Sequence, residues 1–156
     1  MTDKTDTPGG TEDLELLSFK VGEQEYSVDI MLVREIRGWT RATPLPHSED
    51  YVRGVINLRG AVLPIVDLAC RLGLGTTETA ERNVIIVVQI HDQSIGLLVG
   101  AVSDILSVSQ NELQPPPDLV NNVENSFVKA LTIVDGRMLR VIDLNAVYPN
   151  RDGVAA

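Results

Sequence analysis

Apolar residues in this chain fall in short runs bounded by turn residues, and β-branched side chains dominate the runs. The segments "LELLSFKV", "EYSVDI", "VRGVINL", "AVLPIVDL", "NVIIVVQI", "SIGLLVG", "ALTIV" and "MLRVIDL" all read as strands. Helical signals are few and short. Residues 68–73 and 144–148 each allow one or two turns, and a further turn is expected near Ile30 to Val33. The stretch "PPPDLVNNVENS" (115–126) predicts a loop, with a helical turn after Pro117. The opening "MTDKTDTPGGTED" (1–13) is polar after its methionine and predicts a disordered tail, and residues 149–156 predict a shorter one.

The runs repeat. "LLSFKVGEQEYSVDIMLVREI" (16–36) lies over "IIVVQIHDQSIGLLVGAVSDI" (85–105), with apolar on apolar at Leu16/Ile85, Phe19/Val88, Tyr26/Ile95, Val28/Leu97 and Val33/Val102. Glu35 falls on Asp104 and Ile36 on Ile105. "YVRGVINLRGAVLPIVDL" (51–68) lies over "FVKALTIVDGRMLRVIDL" (127–144), matching Gly60 to Gly136, Leu63 to Leu139, and Asp67-Leu68 to Asp143-Leu144. Overlap kept in order through four strands and their turns implies two related β subdomains, about 14–80 and 81–148, with strands open to exchange between them. Sheets this small cannot stand alone with an apolar face uncovered. The expected fold is therefore all-β (mainly β with short helices): two five-stranded barrels sharing an apolar core and related by a pseudo-two-fold axis.

Composition narrows the function classes. At 156 residues, 44% hydrophobic and 22% charged, the chain is ordinary globular material without a membrane-length apolar run or a signal peptide. A cytoplasmic location is expected. A formal charge of −9 disfavours nucleic acid as a partner. The single cysteine, Cys70, has no internal disulfide partner and reads as a buried, inert thiol.

Catalytic chemistry finds little support. His47 and His91 lack ligand spacing, no phosphate-cradling loop is present, and no cofactor or metal is expected. Asp67 and Asp143 occupy equivalent positions, as the paired carboxylates of an aspartic hydrolase do. Each lies in "VDL" or "IDL", however, before a short helical segment where aspartate is a favoured N-cap, and capping is the preferred reading. Asp29 before "IMLV" caps in the same way.

One feature stands out: "NLRGAVLPIVDL" (57–68) places Arg59 and Gly60 inside an apolar stretch. The repeat sets this pair over Asp135-Gly136, a strong hairpin signal, so Arg59 stands at a solvent-reaching hairpin tip. Arginine disfavours positive φ, which predicts a type I turn with Gly60 as a left-handed bulge residue. Pro64 implies an edge, a strand end or a bulge. In "REIRG", Glu35 and Arg37 share a strand face opposite Ile36, which the solvated-face reading puts in the core. Glu35 is either a solvated face residue or a partner for Arg59. Trp39 is either core or an interface anchor.

Taken together, "YSVDIMLVREIRG", "YVRGVINLRGAVLPIVDL" and "IGLLVGAVSDILSV" resemble the CheW family of chemotaxis coupling proteins over about residues 14–148. The resemblance implies two SH3-like barrels around a shared core and a non-enzymatic scaffold that joins chemoreceptor tips to the histidine kinase CheA. It implies as partners the CheA regulatory domain, which has the same double-barrel fold and docks end to end, and the methyl-accepting chemoreceptor's cytoplasmic hairpin, held in a groove between subdomains. By motif, Val33, Glu35 and Ile36 fall in the partner-facing region. Asn57, Arg59 and Gly60 form the functional loop, and Gly96 and Ile105 bring the second subdomain to the groove. The resemblance further implies a monomer when isolated, recruited from the cytoplasm to receptor arrays at the inner membrane. A CheA-like pathway with another output is the alternative. Gly100, Ala130 and Arg140 depart from the family pattern. The length leaves no room for a phosphorylatable histidine, ATP-binding or receiver domain, and a tail that starts at Met1 argues against a kinase fragment.

Overall fold

The computed structural model describes residues 13–78, 80–116 and 127–148. The two tails, apart from Asp13, and the helical turn expected after Pro117 lie outside the described residues. Among the described residues ten strands form: β1 (Asp13–Val21), β2 (Gln24–Asp29), β3 (Val33–Gly38), β4 (Val52–Leu58), β5 (Ala61–Asp67), β6 (Val84–Ile90), β7 (Gln93–Val99), β8 (Ala101–Ser109), β9 (Val128–Val134) and β10 (Arg137–Ile142). Two one-turn helices, α1 (Leu68–Arg71) and α2 (Leu144–Val147), follow β5 and β10. They stand where "VDL" and "IDL" predict them.

The strands make two five-stranded sheets, in the orders β8-β1-β2-β10-β9 and β3-β6-β7-β5-β4. Replacing each strand of the first repeat by its counterpart in the second turns one order into the other, so the pseudo-two-fold extends to strand pairing. The strands are exchanged: β3, β4 and β5 leave β1-β2 and join β6-β7, while β8, β9 and β10 join β1-β2. A boundary near residue 80 thus separates two repeats without separating two sheets.

Alternation along the central strands shows why. Ile85, Val87 and Leu98 point into the second sheet's own interior with Leu63 and Ile65. Their neighbours Ile86, Val88, Leu97 and Val99 point the other way, into a core they share with Leu17, Phe19, Tyr26 and Val28 of the first sheet. In the first sheet Leu16, Val108, Leu139 and Val141 fill the interior. Strands buried on both faces read as continuous apolar runs such as "VIIVVQI".

Each sheet curls until its ends meet. Beyond β3, Thr43 forms an isolated antiparallel bridge to Val55 of β4, with N···O distances of 2.8 and 2.9 Å. Beyond β8, Gln114 bridges Leu131 of β9 at 2.8 and 2.7 Å. These bridges close two small barrels and cover the β4 and β9 edges.

At the pseudo-two-fold the halves touch through Arg71. Its guanidinium lies 4.2 Å from the Tyr51 ring centroid and 4.8 Å from that of Phe127, residues that match in the repeat. It also donates from Nε to the Val147 carbonyl at 2.7 Å and from Nη2 to the Ala146 carbonyl at 3.1 Å.

The β4–β5 tip differs from expectation. Leu58 pairs directly with Ala61, leaving a two-residue loop, and Arg59 and Gly60 both take positive φ, 53° and 85°. This is a type I′ turn, not type I with a bulge. A two-residue hairpin needs that handedness to match strand twist, and the demand overrides the preference of arginine. Asn57 helps by accepting the Gly60 N–H at its Oδ1, 2.9 Å away. Pro64 sits one residue before β5 begins to pair with β7 at Ile65, so its missing N–H costs no bond to β7.

Barrel closure depends on Gly54. Its φ is 145°, and an added Cβ would lie 2.2 Å from the Thr43 carbonyl oxygen. Gly54→Ala is therefore expected to cost about 2 kcal/mol or more through backbone strain and overpacking. Urea unfolding checks this; an unchanged midpoint would mean that the Thr43–Val55 closure contributes nothing to stability.

Candidate functional site

The side chains of β3 alternate, with Val33, Glu35 and Arg37 half-buried and Arg34, Ile36 and Gly38 exposed. Glu35 is held from two sides. Arg59 Nη2 reaches its Oε1 at 2.8 Å, and Arg37 Nη1 reaches its Oε2 at 3.0 Å. β3 and β4 are the terminal strands of their sheet, so the Arg59 contact clasps the hairpin tip across the seam that Thr43 closes. The hydrogen bond from Arg59, then that from Arg37, holds the Glu35 carboxyl below the usual glutamate range, against a smaller opposing effect of burial. Arg37 Nε is buried and finds no hydrogen-bond partner among the described residues.

The other expected site residues separate into surface and core. Asn57, Arg59 and Gly60 are exposed at the tip, with Asn57 spent partly on holding its own turn. Ile36 is 47% exposed and not core, because β3 turns Glu35 and Arg37 to its half-buried face, and the repeat counterpart Ile105 on β8 is 59% exposed. The two repeats thus leave an apolar side chain open at the same matched position. Val33 packs against the shared core and offers only part of itself.

Gly96 does not reach the surface. It is buried in β7, and an added Cβ would lie 2.7 Å from Ile65 Cδ1 and 2.9 Å from Ile85 Cγ2. Its part is to leave room inside the barrel, which corrects its placement in a partner-facing groove.

The two aspartates differ from each other. Asp143 Oδ1 accepts the Asn145 N–H at 3.1 Å and caps α2, and Asp29 caps its 3₁₀ turn through Met31 N at 3.0 Å. Asp67 makes no side-chain cap bond to α1. It is buried and bonded instead to Arg53 Nη2 at 3.1 Å, Thr77 N at 3.0 Å and Thr77 Oγ1 at 2.6 Å. The two carboxylates stand at the ends of strands in different sheets, each committed to local structure, and they do not form a catalytic pair. Cys70 is half-buried where full burial was expected. Desolvation, then the nearby charges of Asp67 and Asp50, push its thiol pKa up, which suppresses thiolate chemistry.

Sequence reasoning missed a counterpart on the first barrel. Asp104, which matches Glu35 in the repeat, lies 3.8 Å from Arg137 Nη2, and Arg137 also pairs with Glu25 at 3.1 Å. The Glu35/Asp104 match was the available signal. The arginine escaped it because it has moved from the turn, where Arg59 is, to the start of the next strand. Exposed Val62, Ile133 and Met138 on the two hairpins were also missed, because single apolar residues on short strands read as core.

A sequence-family comparison matches residues 15–151 to the CheW-like domain. The chain belongs to the CheW family. It is 53% identical over 150 residues to Chemotaxis protein CheW of Rhizobium meliloti, covering 96% of this chain and 95% of that protein. It is 31% identical to Chemotaxis protein CheW of Klebsiella aerogenes over 92% of this chain and 87% of that one. The solved structure of the scaffolding protein TtCheW from Thermoanaerobacter tengcongensis superposes with a TM-score of 0.82 at 29% identity, covering 89% of this chain and 94% of the other. The CheW fold of two five-stranded β subdomains is thus shared, and the chain is a chemotaxis scaffold of the non-catalytic adaptor kind.

The clasp has a measurable pH signature. Because the folded-state pKa of Glu35 is depressed, the pair is intact above the ordinary glutamate range and is lost as pH falls through the lowered value. Carboxyl-detected NMR is expected to show Glu35 titrating below an ordinary glutamate. Arg59→Ala is expected to raise that value more than Arg37→Ala does. Equal titration in wild type and both variants would exclude the pairing.

Proposed function

We propose that this scaffold couples the cytoplasmic tips of methyl-accepting chemoreceptors to the regulatory domain of the histidine kinase CheA. The observation that carries the reading is the Glu35–Arg59 clasp, which fixes an exposed recognition hairpin beside exposed Ile36. Val33, Glu35 and Ile36 on β3, Asn57, Arg59 and Gly60 at the tip, and Ile105 on β8 then serve as the partner-facing set; buried Gly96 supports them from below. A receptor's helical hairpin supplies apolar area to the isoleucines, and the clasped charges fix its orientation. A clasped arginine has little side-chain entropy left to lose on docking, which favours contacts that are specific without being tight. In a repeated array such contacts add through multivalency and can still yield to small receptor shifts.

The folded unit in this reading is residues 14–148, with residues 1–13 and 149–156 as tails. No helix among the described residues is long and apolar enough to cross a membrane. The protein works from the cytoplasm as a monomer and joins arrays at the inner membrane through its partners.

A pull-down from native lysate tests this, with wild type beside Glu35→Ala and Arg59→Ala. Wild type is expected to recover a chemoreceptor and a histidine kinase. The variants are expected to lose at least one of them while keeping a native circular dichroism spectrum. Recovery of neither by wild type would remove the coupling function, and undiminished recovery by both variants would remove the clasp from it.

A further inference from the structure

The mouth of the second barrel is not filled. A cavity of about 340 Å³ opens there, floored by Ile65, Ile85 and Leu98 from the barrel interior and walled by Trp39. Arg41 and Arg53 stand at its edge. The geometry has a local cause. After β3 the chain must return to bridge Val55 through Thr43, and the close approach of Gly54 to the Thr43 carbonyl pins the returning segment. Trp39, at the start of that segment, is half-buried and packs against the edge of the barrel's buried cluster. The matching position of the first barrel is Val108, which is 3% exposed and packs inside that barrel. The duplicated halves have diverged at this point.

Charge distinguishes the cavity further. The chain carries a net charge of −9, yet the lining contains two guanidinium groups and no carboxylate. Arg53 already spends Nη2 on Asp67 and on the Thr77 carbonyl. Arg41 is exposed and makes no ion pair among the described residues, so its charge is available at the rim. An apolar floor, one tryptophan wall and a free arginine form the arrangement that anchors a bulky side chain of a partner. The volume is at the small end for ligand pockets and suits one large side chain, not a helix.

We propose that this cavity is an anchor site for an acidic peptide segment carrying one bulky apolar side chain. The apolar group enters over Ile65, Ile85 and Leu98 against Trp39, and a neighbouring carboxylate pairs with Arg41. Neither Glu35 nor Arg59 lines the cavity, so the proposal is independent of the coupling reading.

Trp39 is the chain's only tryptophan, so its fluorescence reports on the cavity directly. The full chain is titrated with the blocked tetrapeptide Asp-Glu-Phe-Asp, with the same peptide carrying Ala for Phe, and with Lys-Lys-Phe-Lys. The acidic Phe peptide is expected to shift Trp39 emission saturably, with a Kd on the order of 1 mM or tighter, and to weaken as salt is raised. The Ala and Lys peptides are expected to bind about tenfold or more weakly. Arg41→Glu is expected to lose the acidic peptide to a similar degree, and Arg41→Lys to retain most of it, both with native circular dichroism. No saturable shift with any peptide overturns the proposal. Equal binding of the Lys peptide overturns its charge selection, and equal binding of the Ala peptide overturns its apolar anchor. Receptor and kinase recovery in the pull-down stands or falls separately from all of these outcomes.

Discussion

A β-strand has two faces, and the central strands of this fold must bury both. Each sheet of five short strands encloses only a small interior, among the described residues four buried apolar side chains in the first barrel and six in the second. That interior is too small to stabilise a barrel by itself. The outward faces of β1, β2, β6 and β7 therefore meet in one common core, where Phe19 and Tyr26 from one sheet pack with Ile86, Ile95 and Leu97 from the other. Everything functional stands on this arrangement. β3 and the β4–β5 hairpin can carry half-buried charges and the exposed Ile36 and Val62 because their neighbours already supply the apolar burial.

The same constraint decides what could be read from sequence. Strand positions were legible because β-branched runs ended at Gly, Asp-Gly or Pro, and the repeat was legible because both halves solve one packing problem. Exchange of β3 with β8 was allowed but not dictated, since Ile86 and Ile85 are equally apolar and nothing in their identity says which core each faces. Local geometry at Arg59 went against residue preference because a two-residue loop has no other handedness available. The Glu35–Arg59 contact was legible from the motif, and the burial of Gly96 was not. A glycine needed for space and one needed at a surface look alike until the side chains around it are placed. Asp67 shows the same limit: "VDL" and "IDL" are one pattern, yet Arg53 and Thr77 recruit the first aspartate away from its helix.

Duplication also explains where the halves had to part. A side chain on a two-fold axis meets its own copy, and two arginines stacked there would repel. Position 71 is Arg and its counterpart 147 is Val, and the Arg71 side chain donates to the Val147 carbonyl between the matched rings of Tyr51 and Phe127. Glu35 with Arg59 and Asp104 with Arg137 show a milder divergence, a carboxylate at the matched position served by a differently placed base. Two barrels of one design therefore present different surfaces.

The exchanged strands carry a consequence for the origin of the fold. A polypeptide of half this length with the same pairing could not complete either sheet, because β1-β2 needs the third, fourth and fifth strands of another copy. Such an ancestor would close only as a symmetric homodimer whose survival depended on its concentration. Joining two copies end to end makes that association intramolecular and frees the surfaces to drift apart. The present chain is, in its connectivity, a domain-swapped pair written as one polypeptide.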